Sequence, residues 1–190
     1  KRLNFRLGLN GFYFANSQSK IYVYPKLEVS YKSLSGKIIP FIHYNGSYEL
    51  NSFTSLSLMN PYVAPSLDIQ PTEVNQDINL GFDAYPSSGL SFKLEATYKK
   101  YNNYPIFFRL PYDNFNNDIP FRLGNSFDVL YDTIEQKGVS TGLSLSLSEF
   151  NRVSFVTSYF DYKRKNGNPV WNIPSLTFNI DGNFKLWQKL

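Results

Sequence analysis

The chain has 190 residues, a net charge of +4, aromatic and charged residues at 18% each, and no cysteine. The length suits one sizeable all-β domain, and the missing cysteine excludes a disulfide scaffold or a thiolate metal site. The basic charge is too scattered for a nucleic-acid footprint, "YKRK" at 162–165 being its densest cluster, and no stretch approaches the ~18 apolar residues of a transmembrane helix.

In chain order, period-two alternation dominates. Residues 2–10 set Leu3, Phe5, Leu7 and Leu9 against Arg2, Asn4, Arg6 and Asn10. Residues 21–32 set Ile21, Val23, Leu27, Val29 and Tyr31 against Tyr22, Lys26, Glu28, Ser30 and Lys32. Residues 38–50 place Ile38, Ile42, Tyr44, Tyr48 and Leu50 opposite His43, Asn45, Ser47 and Glu49. Residues 74–84 place Val74, Ile78, Leu80, Phe82 and Ala84 opposite Asn75, Asp77, Asn79 and Asp83. Residues 90–99 divide Leu90, Phe92, Leu94, Ala96 and Tyr98 from Ser91, Lys93, Glu95, Thr97 and Lys99. "LSLSLSEFNRVSFVTSYF", residues 143–160, supplies two more strands, and 176–186 the last, with Phe178 and Ile180 against Asn179 and Asp181.

The pattern predicts about eight antiparallel strands and almost no helix. Several strands reach ten residues, longer than the roughly five or six of soluble sheets and near the roughly nine to eleven that cross a bilayer at a tilt. Connections alternate in length. "SLSG" (33–36), "PSSG" (86–89) and "EFN" (149–151) are tight turns. Between them lie 51–72, 102–125 and 164–172, with 15–20 as a further loop on the same side. A transmembrane barrel has this asymmetry, with short periplasmic turns and long extracellular loops. Pro25 and Pro40 interrupt strands and are expected to mark a bulge or a frayed end. "FDVLYDT" (127–133) reads as an extension of the next strand or a small hairpin of its own.

The expected fold is therefore all-β: a transmembrane β-barrel segment of long antiparallel strands, part of a larger barrel. Leu3, Phe5, Leu7, Leu80, Phe92, Leu94, Leu143, Leu145, Phe178 and Ile180 are expected to face lipid. Arg6, Glu28, Asp77, Lys93, Glu95, Asn179 and Asp181 are expected to line the lumen. Aromatics gather near strand ends, and Tyr24, Tyr48, Tyr98, Tyr162 and Trp187 are expected in belts at the two headgroup levels.

Little of the sequence points to chemistry. His43 is the one histidine, and no nucleophile elbow accompanies it. One histidine without cysteine is too few ligands for the usual zinc sets. "YDNFNND" (112–118) offers Asp113, Asn114, Asn116 and Asp118 as oxygen donors but lacks the calcium-loop spacing and its terminal Glu, so a plain polar loop is the default reading. No phosphate-binding glycine motif occurs. The expectation is no enzyme, no metal and no cofactor.

Three elements in order carry a resemblance: the "NPYVAP" loop within 56–108, "GNSFDVLYDT" at 124–133, and "NPVWNIPSLTFNIDGNFKL" at 168–186. Together they resemble a family of outer-membrane β-barrels from Bacteroidota, described as TonB-dependent-receptor-like or porin-like. The resemblance spans roughly residues 20–190. It implies a barrel with more strands before and after this segment and a location in the outer membrane of a Gram-negative bacterium. The chain starts without an initiator Met or signal peptide, so processing or a longer parent chain is expected, and no plug domain is seen within 1–190.

Three functional expectations follow. The first is solute transport, as porin or TonB-dependent receptor, with the long loops capturing or gating the solute. The second is a structural barrel subunit of an envelope complex, with protein partners besides membrane lipid. The third is a soluble β-sandwich that binds carbohydrate, its apolar face buried against another sheet. Nucleic acid is not expected as a partner.

Overall fold

The computed structural model describes residues 2–14, 20–112, 124–168, 170–171 and 173–185. The strands are β1 (Arg2–Phe14), β2 (Lys20–Lys32), β3 (Ile38–Glu49), β4 (Thr72–Ser87), β5 (Leu90–Arg109), β6 (Phe127–Ser146), β7 (Arg152–Arg164) and β8 (Leu176–Asn183). One short helix, α1 (Phe53–Met59), lies between β3 and β4. The strands form a single antiparallel sheet in the order β1 to β8, each beside its sequence neighbour. The fold is thus all-β, an open meander of long strands.

The alternation of short and long connections puts residues 33–37, 88–89 and 147–151 at one end of the sheet, and 50–71, 110–112, 124–126, 165–168, 170–171 and 173–175 at the other. We call these the turn end and the loop end. At the loop end β5 and β6 rise past their neighbours as a hairpin of two 20-residue strands. "FDVLYDT" is the first part of β6, in continuous register with β5 from Arg109↔Phe127 to Tyr104↔Asp132. It is a strand extension and not a separate hairpin.

The helix escaped the alternation pattern because "SLSL" alternates as a strand does. Its stop-start signal is a capping box made of two serines: the Ser55 amide donates to the Ser52 hydroxyl at 3.1 Å, and the Ser52 amide donates to the Ser55 hydroxyl at 2.8 Å. Leu56 then drops into a small core with Val63 and Phe107, flanked by Leu67, Phe127 and Val129. This core anchors the long β3–β4 connection on the raised β5–β6 hairpin.

The prolines act at the β2–β3 seam. Pro25 stays in register with Leu9 on β1, and Pro40 with Phe82 on β4. Between β2 and β3, however, only Leu27–Ser30 pair, against Phe41–Tyr44. That ladder stops beside Pro40 and two residues short of Pro25, since a proline has no N–H to donate. Side chains bridge what the ladder leaves open. The Asn10 amide of β1 reaches past β2 and donates to Asn45 Oδ1 at 2.9 Å and to the Gly46 carbonyl at 3.0 Å.

Candidate functional site

Strand register extends the alternation of single strands into two continuous faces. From β1 to β8 one face runs through rows such as Phe5, Val29, Ile42, Leu80, Ala96, Val139, Tyr159 and Leu176. Leu3, Phe5, Leu7, Leu80, Phe92, Leu94, Leu143, Leu145, Phe178 and Ile180 all lie on it. It carries no charged side chain from Ile21 to Tyr31 on β2, from Val139 to Leu145 on β6, or from Val153 to Tyr159 on β7. It is also open: Leu7 is 68% exposed, Leu80 57% and Phe178 71%. Water is a poor neighbour for an unbroken apolar surface of this extent. Toward the loop end the face changes to Lys137 and Asp161, then to Lys100, Glu135 and Lys163.

The opposite face holds Arg6, Glu28, Asp77, Lys93, Glu95, Asn179 and Asp181. Its charges are tied mostly to each other. Arg6 and Lys26 both reach Glu28, at 2.8 and 3.0 Å; Lys93 reaches Glu95 at 2.8 Å and Lys99 reaches Asp77 at 3.1 Å. Asp77 also accepts from Asn79, which accepts from Thr97; Asn179 donates to Asp181 at 2.8 Å. Lys93 faces Asp83 directly across the β4–β5 ladder. His43 lies in this network, opposite Glu28 and Asn79, its ring stacked on Phe41 at 4.7 Å. Signs alternate over short distances, so the face offers hydrogen bonds and paired charge and no single-sign field.

Large rings also sit on the polar face. Phe41 covers Gly81 of β4, where a side chain's Cβ would approach the ring to 2.9 Å and crowd the Leu94 carbonyl. Tyr24 covers Gly46 of β3 in the same way, with a Cβ there 2.7 Å from the ring. Glycine opposite an aromatic lets the ring lie flat against a bare stretch of backbone. Around Tyr24 a cluster forms toward the loop end: Phe12 lies 6.0 Å from Tyr24, and Tyr22 lies 4.7 Å from Tyr48. The Tyr24 hydroxyl donates to Glu73 at 2.6 Å, and Asn102 donates to the same carboxylate at 2.9 Å.

This cluster revises the expected aromatic belts. Tyr98 is on the apolar face, with the Lys137 ammonium 5.4 Å above its ring. Tyr24 shares its face with Lys26 and Glu28, and Tyr162 stands opposite Gln136 on the polar face. Tyr48 joins them because the bulge between Asn45 and Ser47 shifts the β3–β4 register by one residue, which turns the strand over beyond it. A ring on the polar face cannot sit in a belt on the apolar one. Trp187, residues 15–19 and the 113–118 oxygen-donor loop lie outside the described residues.

At the loop end a cavity of about 420 Å³ opens between the β3–β4 connection, the raised hairpin and the β7–β8 connection. Met59, Tyr62, Tyr104, Phe107, Phe127 and Trp171 line it. Its floor is rigid: the Ala64 amide donates to the Phe127 carbonyl at 2.7 Å, and the Phe127 amide to the Tyr62 carbonyl at 2.9 Å. The wall at 171 is set by Arg164, whose Nε donates to Asp132 at 2.7 Å and whose guanidinium lies 5.8 Å from the Trp171 ring. Alternation could not reveal this cavity, because its residues come from two connections and the raised hairpin, far apart in sequence. The one local signal was the density of aromatics and prolines in those connections. Among the described residues no group of three or more His, Cys, Asp or Glu is placed to hold a metal ion.

Neither a family model nor a curated protein sequence matches the chain. Among solved structures it is similar to the copper transporter OprC, with a TM-score of 0.55 and 12% identity over 85% of this chain. The match covers 24% of the OprC chain, so this segment spans about a quarter of that protein's length. The likeness is one of fold: eight long antiparallel strands in one sheet, as in part of a transporter. It lends no support to a particular bacterial group.

Proposed function

We propose that the chain forms part of the wall of an outer-membrane β-barrel, with its apolar face against lipid and its polar face lining a hydrated path for a solute. The observation that carries the reading is the register-continuous division of the sheet into one uncharged apolar face and one ion-paired polar face. On β2 the apolar face runs from Ile21 to Tyr31. At about 3.3 Å per residue and a tilt of about 40° that rises about 25 Å, the height of a barrel's apolar band. Charged rows begin where the band ends. The short turns would then be periplasmic and the long connections extracellular.

A transport role is supported by the character of the polar face and by the fold shared with a transporter. Mixed, mutually paired charges favour a small polar or zwitterionic solute over a strongly anionic or cationic one. The aromatic cluster around Tyr24 and the cavity near Trp171 would meet the solute first, at the outer end. Copper does not carry over from the OprC likeness, which at 12% identity is one of fold.

The test is reconstitution of the intact protein in phosphatidylcholine liposomes, with osmotic swelling measured in neutral, anionic and cationic sugars and amino acids. Faster swelling in neutral and zwitterionic solutes than in protein-free liposomes is expected. Bilayer insertion with no flux for any solute would remove the transport reading. Failure to insert would remove the barrel reading as well.

A further inference from the structure

Above the apolar band, the outward face carries a set of lysines that neither fold nor solute path uses. Lys100 of β5, Glu135 of β6 and Lys163 of β7 form one row across three strands. They line a surface cavity of about 460 Å³ together with Asn102, Thr133 and Lys165. The Lys165 amide is tied to the Thr133 carbonyl at 3.2 Å, which seats that lysine over the cavity.

The acids nearby are engaged elsewhere. Glu135 pairs with Lys137 at 3.4 Å, and Asp161 with Lys163 at 3.4 Å. Arg164, also at the cavity wall, is neutralised by Asp132. Among the described residues Lys100 and Lys165 have no ion-pair partner. The cavity and the row beneath it therefore hold four lysines against two carboxylates, a surplus of two positive charges. The hydroxyl of Thr133 adds a neutral donor, while the Asn102 amide is held by Glu73, whose carboxylate also accepts from Tyr24 on the other face.

We propose that this cavity binds the phosphate of an anionic lipid headgroup at the boundary of the apolar band. The proposal rests on the membrane reading above and goes beyond it, because most of a barrel's perimeter needs no particular lipid. Position favours a lipid over free phosphate. Below the lysines, past the row of Tyr98, Lys137 and Asp161, the same face presents Ala96, Val139 and Tyr159 in register. Val139 is 45% exposed and Tyr159 59%. Acyl chains would lie along these side chains while the phosphate sits between Lys100, Lys163 and Lys165. Surface lysines attract anionic headgroups by about 1 kcal/mol each.

The experiment uses the intact protein in nanodiscs of phosphatidylcholine with a minority of phosphatidylglycerol, and native mass spectrometry of the lipid retained on the released protein. Enrichment of phosphatidylglycerol is expected, falling about five-fold for each lysine removed in Lys100→Gln and Lys165→Gln, with Lys37→Gln at the turn end unchanged. Heat-modifiable gel migration reports whether each variant is folded. Folded, inserted variants that retain phosphatidylglycerol like the wild type would overturn the headgroup site and leave the membrane reading standing. Displacement of the lipid by inorganic phosphate alone would also overturn it, since head contacts would then suffice. A protein that does not enter the bilayer would sink both.

Discussion

The Phe41 ring lies over Gly81 of the neighbouring strand, close enough that a Cβ at that glycine would come within 2.9 Å of it. The ring in turn stacks on His43 and has the Lys93 ammonium 5.2 Å from its centre. Gly81→Ala should lower stability by about 1–3 kcal/mol, the usual cost of overpacking. Urea unfolding of the reconstituted protein measures it. The double variant Gly81→Ala, Phe41→Leu should recover little of the loss, because the Leu94 backbone carbonyl stands nearer to that Cβ than the ring does. Substantial recovery would show that the ring is the main obstacle.

Opposite faces should respond differently to charge. Phe178→Arg places a guanidinium within the apolar band and should cost about 2–4 kcal/mol, whereas Leu145→Arg, one residue from the turn end of β6, should cost about 0–1 kcal/mol. Ser144→Arg and Asn179→Arg, on the polar face, should be mild. Folding yield into lipid vesicles checks all four; equal damage on both faces would contradict the proposed orientation.

The β2–β3 seam should open before the others. Only Leu27–Ser30 and Phe41–Tyr44 pair across it, against eighteen register pairs between β5 and β6. Hydrogen exchange should therefore be faster at these β2 and β3 amides than in the middle of β5 and β6. Asn10→Ala, which removes two hydrogen bonds that cross the seam, should raise exchange there further and leave β6–β7 unchanged.

Arg164 is buried against Asp132 with its Nε donating at 2.7 Å. Arg164→Met should cost about 2 kcal/mol, the scale of a hydrogen bond to a charged group. It should also free the Trp171 side of the loop-end cavity. Tryptophan fluorescence of the variant should shift to the red; an unchanged spectrum would mean that Arg164 does not position that ring.

Alternation in single strands was enough to locate all eight strands and both faces through the straight stretches, but it missed the outer parts of β5 and β6, reading 102–109 as connection and leaving 134–142 unassigned. Leu143 and Leu145 fall on one side and Ser144 on the other whatever the neighbours are, because a pleated backbone turns each successive side chain over. Alternation failed where one extra residue enters a strand: the bulge at Asn45–Ser47 carries Tyr48 to the polar face, and the bulge between Tyr101 and Tyr104 resets the raised hairpin. A bulge is decided by what the partner strand can pair with, and that is not written in the alternation of either strand alone.

By itself, then, the amino-acid sequence determined the period, the length and the two-sidedness of the strands, all of which depend on residues a few positions apart. Tertiary structure alone decided which rings cover which glycines, how Lys100, Glu135 and Lys163 come into one row, and that two distant connections and the raised hairpin enclose a cavity beside Trp171. Those relations depend on register between strands and on where loops return, and register is settled only when whole strands compete for the same partners.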